Sequence, residues 1–149
     1  LTVHHAPGHA PHQVVFHDAA AGVVFTGDAA GIYVPARDVV RPSTPPPNFD
    51  PHQALTDIDR LRELDPDVLG FGHYGPVAAD DVLRRARDVL EAWVESVKAV
   101  RAELGDDEAV LEHFVEEAPL ADVWGEEHAR SQASLNARGV LVWLSRRED

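Results

Sequence analysis

The sequence of 149 residues contains no cysteine and no methionine, and Lys98 is its one lysine. Without cysteine, disulfide frameworks and thiolate metal sites are excluded, so any metal ion must be held by His, Asp or Glu. The first residue is Leu1 rather than a methionine. We therefore expect the chain to be a fragment or a processed product of a longer polypeptide.

Long apolar runs are also missing. The longest, residues 19–25, contains Gly22 and is far shorter than a membrane span. The first residues lack the basic and apolar regions of a signal peptide. These absences predict a cytoplasmic protein that has no membrane partner.

Positive charge is scarce. The chain has 26 acidic residues and 13 Lys and Arg, for a formal net charge of -13. The electrostatic field of so negative a protein repels phosphate backbones and anionic lipid, which disfavours nucleic acid and membrane surfaces as partners. An acidic surface with almost no lysine is similar to that of halophilic proteins, so the composition points to a salt-rich habitat.

The pattern of apolar residues predicts an α/β fold with few strands. Proline-rich residues 30–51 predict an extended loop without long regular elements. The expected strands are residues 1–5, 13–17, 22–26 and 68–71, and the second and third should pair as a hairpin. The expected helices are residues 51–64, 79–104, 107–118 and 126–144. Helices on one side would leave a sheet face uncovered, so we expect a further layer to be missing.

Three side chains should meet at one end of the predicted sheet. His9 precedes one strand of the hairpin and Asp28 follows the other, so both lie at the same end. His73 follows its own strand, and it joins them if residues 68–71 run parallel to residues 22–26. Two imidazoles and a carboxylate suit zinc, iron or manganese when no thiolate is available. His9, Asp28 and His73 are therefore the candidate metal ligands.

Three segments carry a family resemblance. They are PGHAPHQ (7–13), FTGD (25–28) and GFGHYGPV (70–77), which in this order resemble the later motifs of the metallo-β-lactamase fold family of metal-dependent hydrolases. The resemblance covers about residues 1–80. It implies that His9 is a ligand of one metal and His73 of a second, and that Asp28 bridges the two and is the catalytic residue.

The resemblance also implies an activity. Members bind two metal ions, here expected to be zinc, with iron or manganese as alternatives, and a metal-bound hydroxide attacks an ester, thioester or related carbonyl bond. The resemblance therefore implies a hydrolase of the glyoxalase or thioesterase type that acts on a small-molecule substrate. Iron-dependent redox members, such as flavodiiron proteins and sulfur dioxygenases, use the same ligand types and stay open as an alternative.

One motif of the family is absent. Members carry an earlier H-x-H-x-D-H motif that supplies the remaining ligands, and this sequence has none. Residues 1–78 therefore resemble the second half of an αββα sandwich, and residues 79–149 a helical extension packed on it. The upstream half of the domain is the expected partner. The chain alone should be inactive, and a non-catalytic assembly module or a truncated product is the alternative function.

Several other residues are weaker candidates. Tyr33 could wall a substrate pocket or lie in a plain connector, and Tyr74 and His12 could contact substrate, although packing and a strand start explain them as well. His5 should pack or form a hydrogen bond near the site, and by strand alternation His4 should face solvent. The helix over residues 79–104 could meet a second copy in a homodimer, with core packing as the alternative.

Overall fold

The computed structural model describes residues 1–147 and shows the expected α/β fold. The main sheet has the strand order β1-β2-β3-β6-β7. Its strands are β1 (Thr2–His5), β2 (Val14–Asp18), β3 (Val23–Gly27), β6 (Val68–Phe71) and β7 (Pro76–Ala78). β2 and β3 form the expected antiparallel hairpin, and β3 and β6 pair in parallel, as the sequence predicted. The edge strand β7 was not predicted.

Five helices follow the strands along the chain or lie between them. They are α1 (Pro51–Glu63), α2 (Val82–Leu104), α3 (Asp107–Glu117), α4 (Ala121–Trp124) and α5 (Glu126–Ser145). α1 begins as predicted, because the Asp50 side chain accepts the main-chain N–H groups of His52 and Gln53. The predicted start of α2 at residue 79 was wrong: Ala79 forms a turn with Val82, and the helix begins there. The short α4 was missed.

One face of the main sheet lies in the core. Val15, Val24 and Leu69, on three neighbouring strands, are fully buried. They share one hydrophobic cluster with Ile58 of α1 and Val94 of α2. The cluster extends to α5, so the two predicted parts, residues 1–78 and 79–149, share a single core as far as residue 147. Residues 148 and 149 of the predicted extension lie outside the described residues.

The opposite face of the sheet carries exposed apolar side chains. Val3 pairs with Phe16, and Phe16 pairs with Phe25, so the three side chains form one row across β1, β2 and β3. Their exposed fractions are 55%, 40% and 49%. We call this row the Phe16 face. It matches the uncovered face expected from the sequence.

Residues 30–51, predicted as an extended loop without long regular elements, contain three short ones. A second, two-stranded sheet forms from β4 (Ile32–Val34) and β5 (Val39–Arg41), joined by a 3-10 helix, Pro35–Arg37. Each strand has only three residues, so the prolines fall just outside them and do not interrupt the ladder. Over the described part of the chain, every helix is too short or too polar to span a bilayer.

Candidate metal centre

The three predicted ligands lie together at one end of the main sheet. His9 is in the loop between β1 and β2, Asp28 follows β3, and His73 follows β6. Asp28 Oδ2 lies 3.7 Å from His9 Nε2, and Asp28 Oδ1 lies 3.4 Å from His73 Nε2. The parallel pairing of β3 and β6 produces this arrangement, because parallel strands end at the same edge.

His9 is oriented by a main-chain hydrogen bond. Its Nδ1 lies 3.1 Å from the Ser43 carbonyl oxygen, which can only accept, so Nδ1 carries the proton. In the neutral ring the Nε2 lone pair then faces the Asp28 carboxylate. A lone pair and a carboxylate at this separation repel each other unless a cation or a proton lies between them. A donor bond at the far nitrogen is also the usual support of a metal-binding histidine.

The Asp28 carboxylate is partly buried at the end of the sheet. Its Oδ1 is buried and forms no hydrogen bond with the described residues. Room for this oxygen depends on Gly72, since a Cβ on that residue would lie 3.1 Å from Oδ1 and 3.2 Å from the Gly27 carbonyl carbon. The Asp28 carbonyl accepts from Gly31 N at 3.0 Å, which fixes the turn. An unpaired buried carboxylate oxygen is costly, so this one fits a cation better than it fits the protein alone.

His73 lies on the solvent-exposed side of the three candidate ligands. Its side chain is 54% exposed, against 13% for His9. It stands in the turn between β6 and β7, which is closed by a hydrogen bond from Phe71 N to Gly75 O. The site is therefore accessible from solvent on the His73 side and supported by protein on the His9 side.

The donors fit a metal in type but are incomplete in number. His9 faces one oxygen of Asp28 and His73 faces the other, which gives two His–Asp pairs that share a carboxylate. Within residues 1–147 no group of three or more His, Cys, Asp or Glu side chains is arranged so that it could hold a metal ion. Each pair offers two donors, whereas zinc sites usually have three or four from protein. The metal assignment of the three residues stays a prediction.

A buried carboxylate that the sequence reasoning missed holds the His9 loop. Asp57 of α1 is 2% exposed, and its Oδ2 accepts the Gly8 N–H at 2.8 Å. Gly8 is needed there because a Cβ would lie 2.2 Å from Ala54 N. Sequence spacing contained a signal: residue 57 falls on the apolar face of α1 with Ala54, Ile58 and Leu61.

The three weaker candidates lie in different surroundings. Tyr33 is 9% exposed, and its hydroxyl donates to Asp38 at 3.0 Å, so it is part of the core. Tyr74 is 55% exposed, with its ring centroid 6.3 Å from that of His73. His12 is exposed in the same loop as His9. Both Tyr74 and His12 are thus exposed to solvent.

The predicted orientation of His4 was wrong, whereas His5 forms a hydrogen bond in the loop that carries His9, as expected. His4 pairs with buried Val15 and is half-buried, whereas His5 is exposed and its Nε2 lies 2.8 Å from the Pro11 carbonyl oxygen. The cause is the register of β1 on β2, which turns residue 4 toward the core. Neither residue belongs to the candidate metal centre.

Comparison with known proteins shows which family this chain is similar to. The model of the metallo-β-lactamase superfamily matches residues 1–73. A metallo-β-lactamase fold-containing protein from Sulfurisphaera tokodaii, ST1585, is 41% identical over 76 residues, which are 50% of this chain and 26% of that protein. The chain thus spans much less than the whole of this relative.

Solved structures give the same result for the fold. The crystal structure of ST1585 from Sulfolobus tokodaii, an archaeal superfamily protein, superposes with a TM-score of 0.59 at 26% identity and covers 93% of this chain and 44% of that one. A metallo-β-lactamase family protein from Thermus thermophilus, TTHA1429, gives 0.58 at 23% identity, with 98% and 44% covered. The sequence match over residues 1–73 and the fold of nearly the whole chain together identify this protein as a member of the metallo-β-lactamase superfamily.

Proposed function

We propose that this chain supplies part of the catalytic centre of a metal-dependent hydrolase that acts on an ester, thioester or related carbonyl bond. The observation that carries the proposal is Asp28, which presents one oxygen to His9 and the other to His73. One of these oxygens is buried and has no hydrogen bond within residues 1–147. Superfamily members typically bind metal ions. When bound, such ions polarise a carbonyl group and lower the pKa of water.

The residues of this chain have distinct roles in the proposal. His9, held by Ser43, is the fixed ligand, and Asp28 is the shared ligand between two positions. His73 lies on the open side, so the substrate enters there. Tyr74, next to His73, and His12, in the same loop as His9, are the candidates for substrate contact.

The missing donors come, in this proposal, from a second sheet that packs on the Phe16 face. Val3, Phe16 and Phe25 present a continuous apolar row that water covers at present. Burial of such a row contributes about 25 cal/mol per Å² of apolar surface, so a complementary sheet gains stability by covering it. Packed face to face about 10 Å away, that sheet would bring its own strand ends near Asp28.

Zinc titration of the 149-residue chain tests the assignment without any need for activity. We expect weak binding of Zn²⁺, observed by calorimetry and by shifts of histidine ring signals in NMR spectra. His9→Ala and His73→Ala should each weaken binding at least tenfold. His128→Ala is the matched control, because His128 is exposed on α5, and it should bind as the unaltered chain does. Binding that survives both His9→Ala and His73→Ala would overturn the site.

Activity distinguishes the complete enzyme from an assembly module. The 149-residue chain should not hydrolyse a reporter ester or thioester with added Zn²⁺. A longer product of the same gene that contains an H-x-H-x-D-H segment should do so, and should lose the activity on Asp28→Ala. If that longer product binds no metal and hydrolyses nothing, a non-catalytic module is the better description. Metal analysis of the active form then decides between zinc and iron.

A further inference from the structure

A cavity of about 230 Å³ lies between the β4–β5 hairpin and helices α2 to α5. It is separate from the candidate metal centre: Pro42 is the residue that the cavity has in common with the surroundings of His9 and Asp28. We call it the Arg41 cavity. Nothing in the proposed hydrolysis uses it.

Aromatic rings form its walls. Trp93 of α2 and Phe114 of α3 are packed edge to face, with ring centroids 4.8 Å apart. The Trp93 N–H donates to Thr44 Oγ1 at 3.1 Å, so this indole offers the cavity its apolar surface and no donor. Trp124 of α4 adds a third ring. These surfaces suit a flat apolar group.

Arg41 places a positive charge in these apolar walls. It pairs with Ile32 across the hairpin, and both side chains point away from the buried pair Tyr33 and Val40. Burial lowers the pKa of the Arg41 guanidinium. No acidic side chain among residues 1–147 forms an ion pair with it, although the chain carries twice as many acids as bases. A half-buried cation without a counter-ion attracts an anion.

Two further donors belong to residues of the cavity lining. The Trp124 Nε1 atom is buried and has no hydrogen-bond partner within the described residues. Asn136 uses its Oδ1 to accept from Thr44 N, which leaves its amide N–H groups as the part that is free for a ligand. The acidic residue of the lining, Glu117, is exposed and lies 3.8 Å from His113. The half-buried Arg41 and the unpaired Trp124 N–H together favour an anionic ligand.

We propose that the Arg41 cavity binds a small monocarboxylate with one compact apolar group, such as an arylacetate. The carboxylate would pair with Arg41 and accept from the Trp124 N–H, and the ring would lie against Trp93 and Phe114. The volume supports this size, since drug-sized ligands fill roughly 300–1,000 Å³ and a 150 Å³ apolar cavity already admits benzene. A guanidinium matches a carboxylate in planar geometry, and the apolar walls disfavour the more strongly hydrated phosphate.

Titration with phenylacetate tests the proposal. The three indole N–H signals of Trp93, Trp124 and Trp143 can be followed in ¹H–¹⁵N NMR spectra of the chain. We expect the Trp124 signal to move most, since its N–H acquires an acceptor, and the signal of Trp143 to stay in place. Phenylacetamide has the same shape without the charge and should bind at least tenfold more weakly.

Variants separate the role of Arg41 from a general effect of charge. Arg41→Gln should weaken phenylacetate binding about tenfold or more. Arg84→Gln removes an equal charge from an exposed position of α2 and should leave binding unchanged. Circular dichroism shows whether each variant is folded. Equal affinity for phenylacetate and phenylacetamide would overturn the proposal, and so would a Trp124 signal that does not move.

Discussion

Asn136 of α5 binds Thr44 of the proline-rich segment through two different groups. Its side-chain Oδ1 accepts the Thr44 N–H at 2.7 Å, and its main-chain carbonyl accepts the Thr44 hydroxyl at 2.8 Å. Thr44 is fully buried, and the preceding residue, Ser43, is the acceptor for His9. The C-terminal helix therefore positions the segment that orients a ligand of the candidate metal centre.

The first prediction concerns this link. Asn136→Ala leaves the buried Thr44 N–H without an acceptor, so we expect the free energy of unfolding to fall by about 1–3 kcal/mol. Zinc binding should weaken as well, because Ser43 no longer holds His9 in place. Urea unfolding and zinc titration measure the two effects. Asn48→Ala, at an exposed position of the same proline-rich segment, is the control and should change neither. An unchanged unfolding midpoint for Asn136→Ala would show that the link is unimportant.

Gly139 makes the same contact possible by its lack of a side chain. A Cβ there would lie 1.7 Å from the Thr44 carbonyl oxygen, a main-chain atom that cannot rotate away. Exchange of Gly for Ala inside a helix ordinarily stabilises by about 0.5–1 kcal/mol, so the contact predicts the opposite sign. Gly139→Ala should lower the melting temperature. Ser131→Ala, exposed on the same helix, should not. A rise in melting temperature for Gly139→Ala would contradict the packing of α5 on this segment.

A polar cluster between the β4–β5 turn and α2 predicts how stability depends on pH. Arg85 and then Tyr33 donate to Asp38 and hold the pKa of that carboxyl below its ordinary value of 3.8. Because the pKa of Asp38 is lower in the folded state, its contribution to the free energy of unfolding is complete above pH 3.8. This contribution is lost as the pH falls through the pKa of the folded state. The pKa of Tyr33 is raised, chiefly by the hydrogen bond to Asp38, so its contribution is lost as the pH rises through that value.

Unfolding measured across the pH range checks this cluster. The stability difference between the unaltered chain and Asp38→Asn should be constant near neutral pH and shrink in acid below about pH 3.8. Tyr33→Phe should reduce the loss of stability in strong alkali. Arg85→Gln should reproduce the acid behaviour of Asp38→Asn. A difference for Asp38→Asn that stays the same down to the acid limit would refute the coupling.

Local pattern and long-range contact account for what the sequence could and could not predict. The meeting of His9, Asp28 and His73 follows from the order of a hairpin and a parallel strand, both of which leave a periodic signal. Ser43, Asp57 and Asn136 act on residues 34, 49 and 92 positions away, and no local pattern encodes such pairs. The short strands β4 and β5 were missed for the same reason, since three residues are too few to show an alternation.

The Phe16 face gives the last prediction. Phe16 lies at the centre of the exposed row, between Val3 and Phe25, and is 40% exposed. The chain alone should therefore bind a hydrophobic dye such as ANS and associate with itself at high concentration, because association removes exposed apolar surface from water. Phe16→Thr keeps a strand-forming residue and should reduce both effects with little change in the free energy of unfolding.

Leu135 on α5 is also 40% exposed, so Leu135→Gln is a control with equal exposure elsewhere, and it should leave dye binding intact. If Leu135→Gln lowers dye binding as much as Phe16→Thr does, general surface hydrophobicity explains the dye binding. The result would then not support the Phe16 face as the surface on which a second sheet packs. Dye fluorescence and sedimentation velocity, run on all three proteins at one concentration, decide between these outcomes.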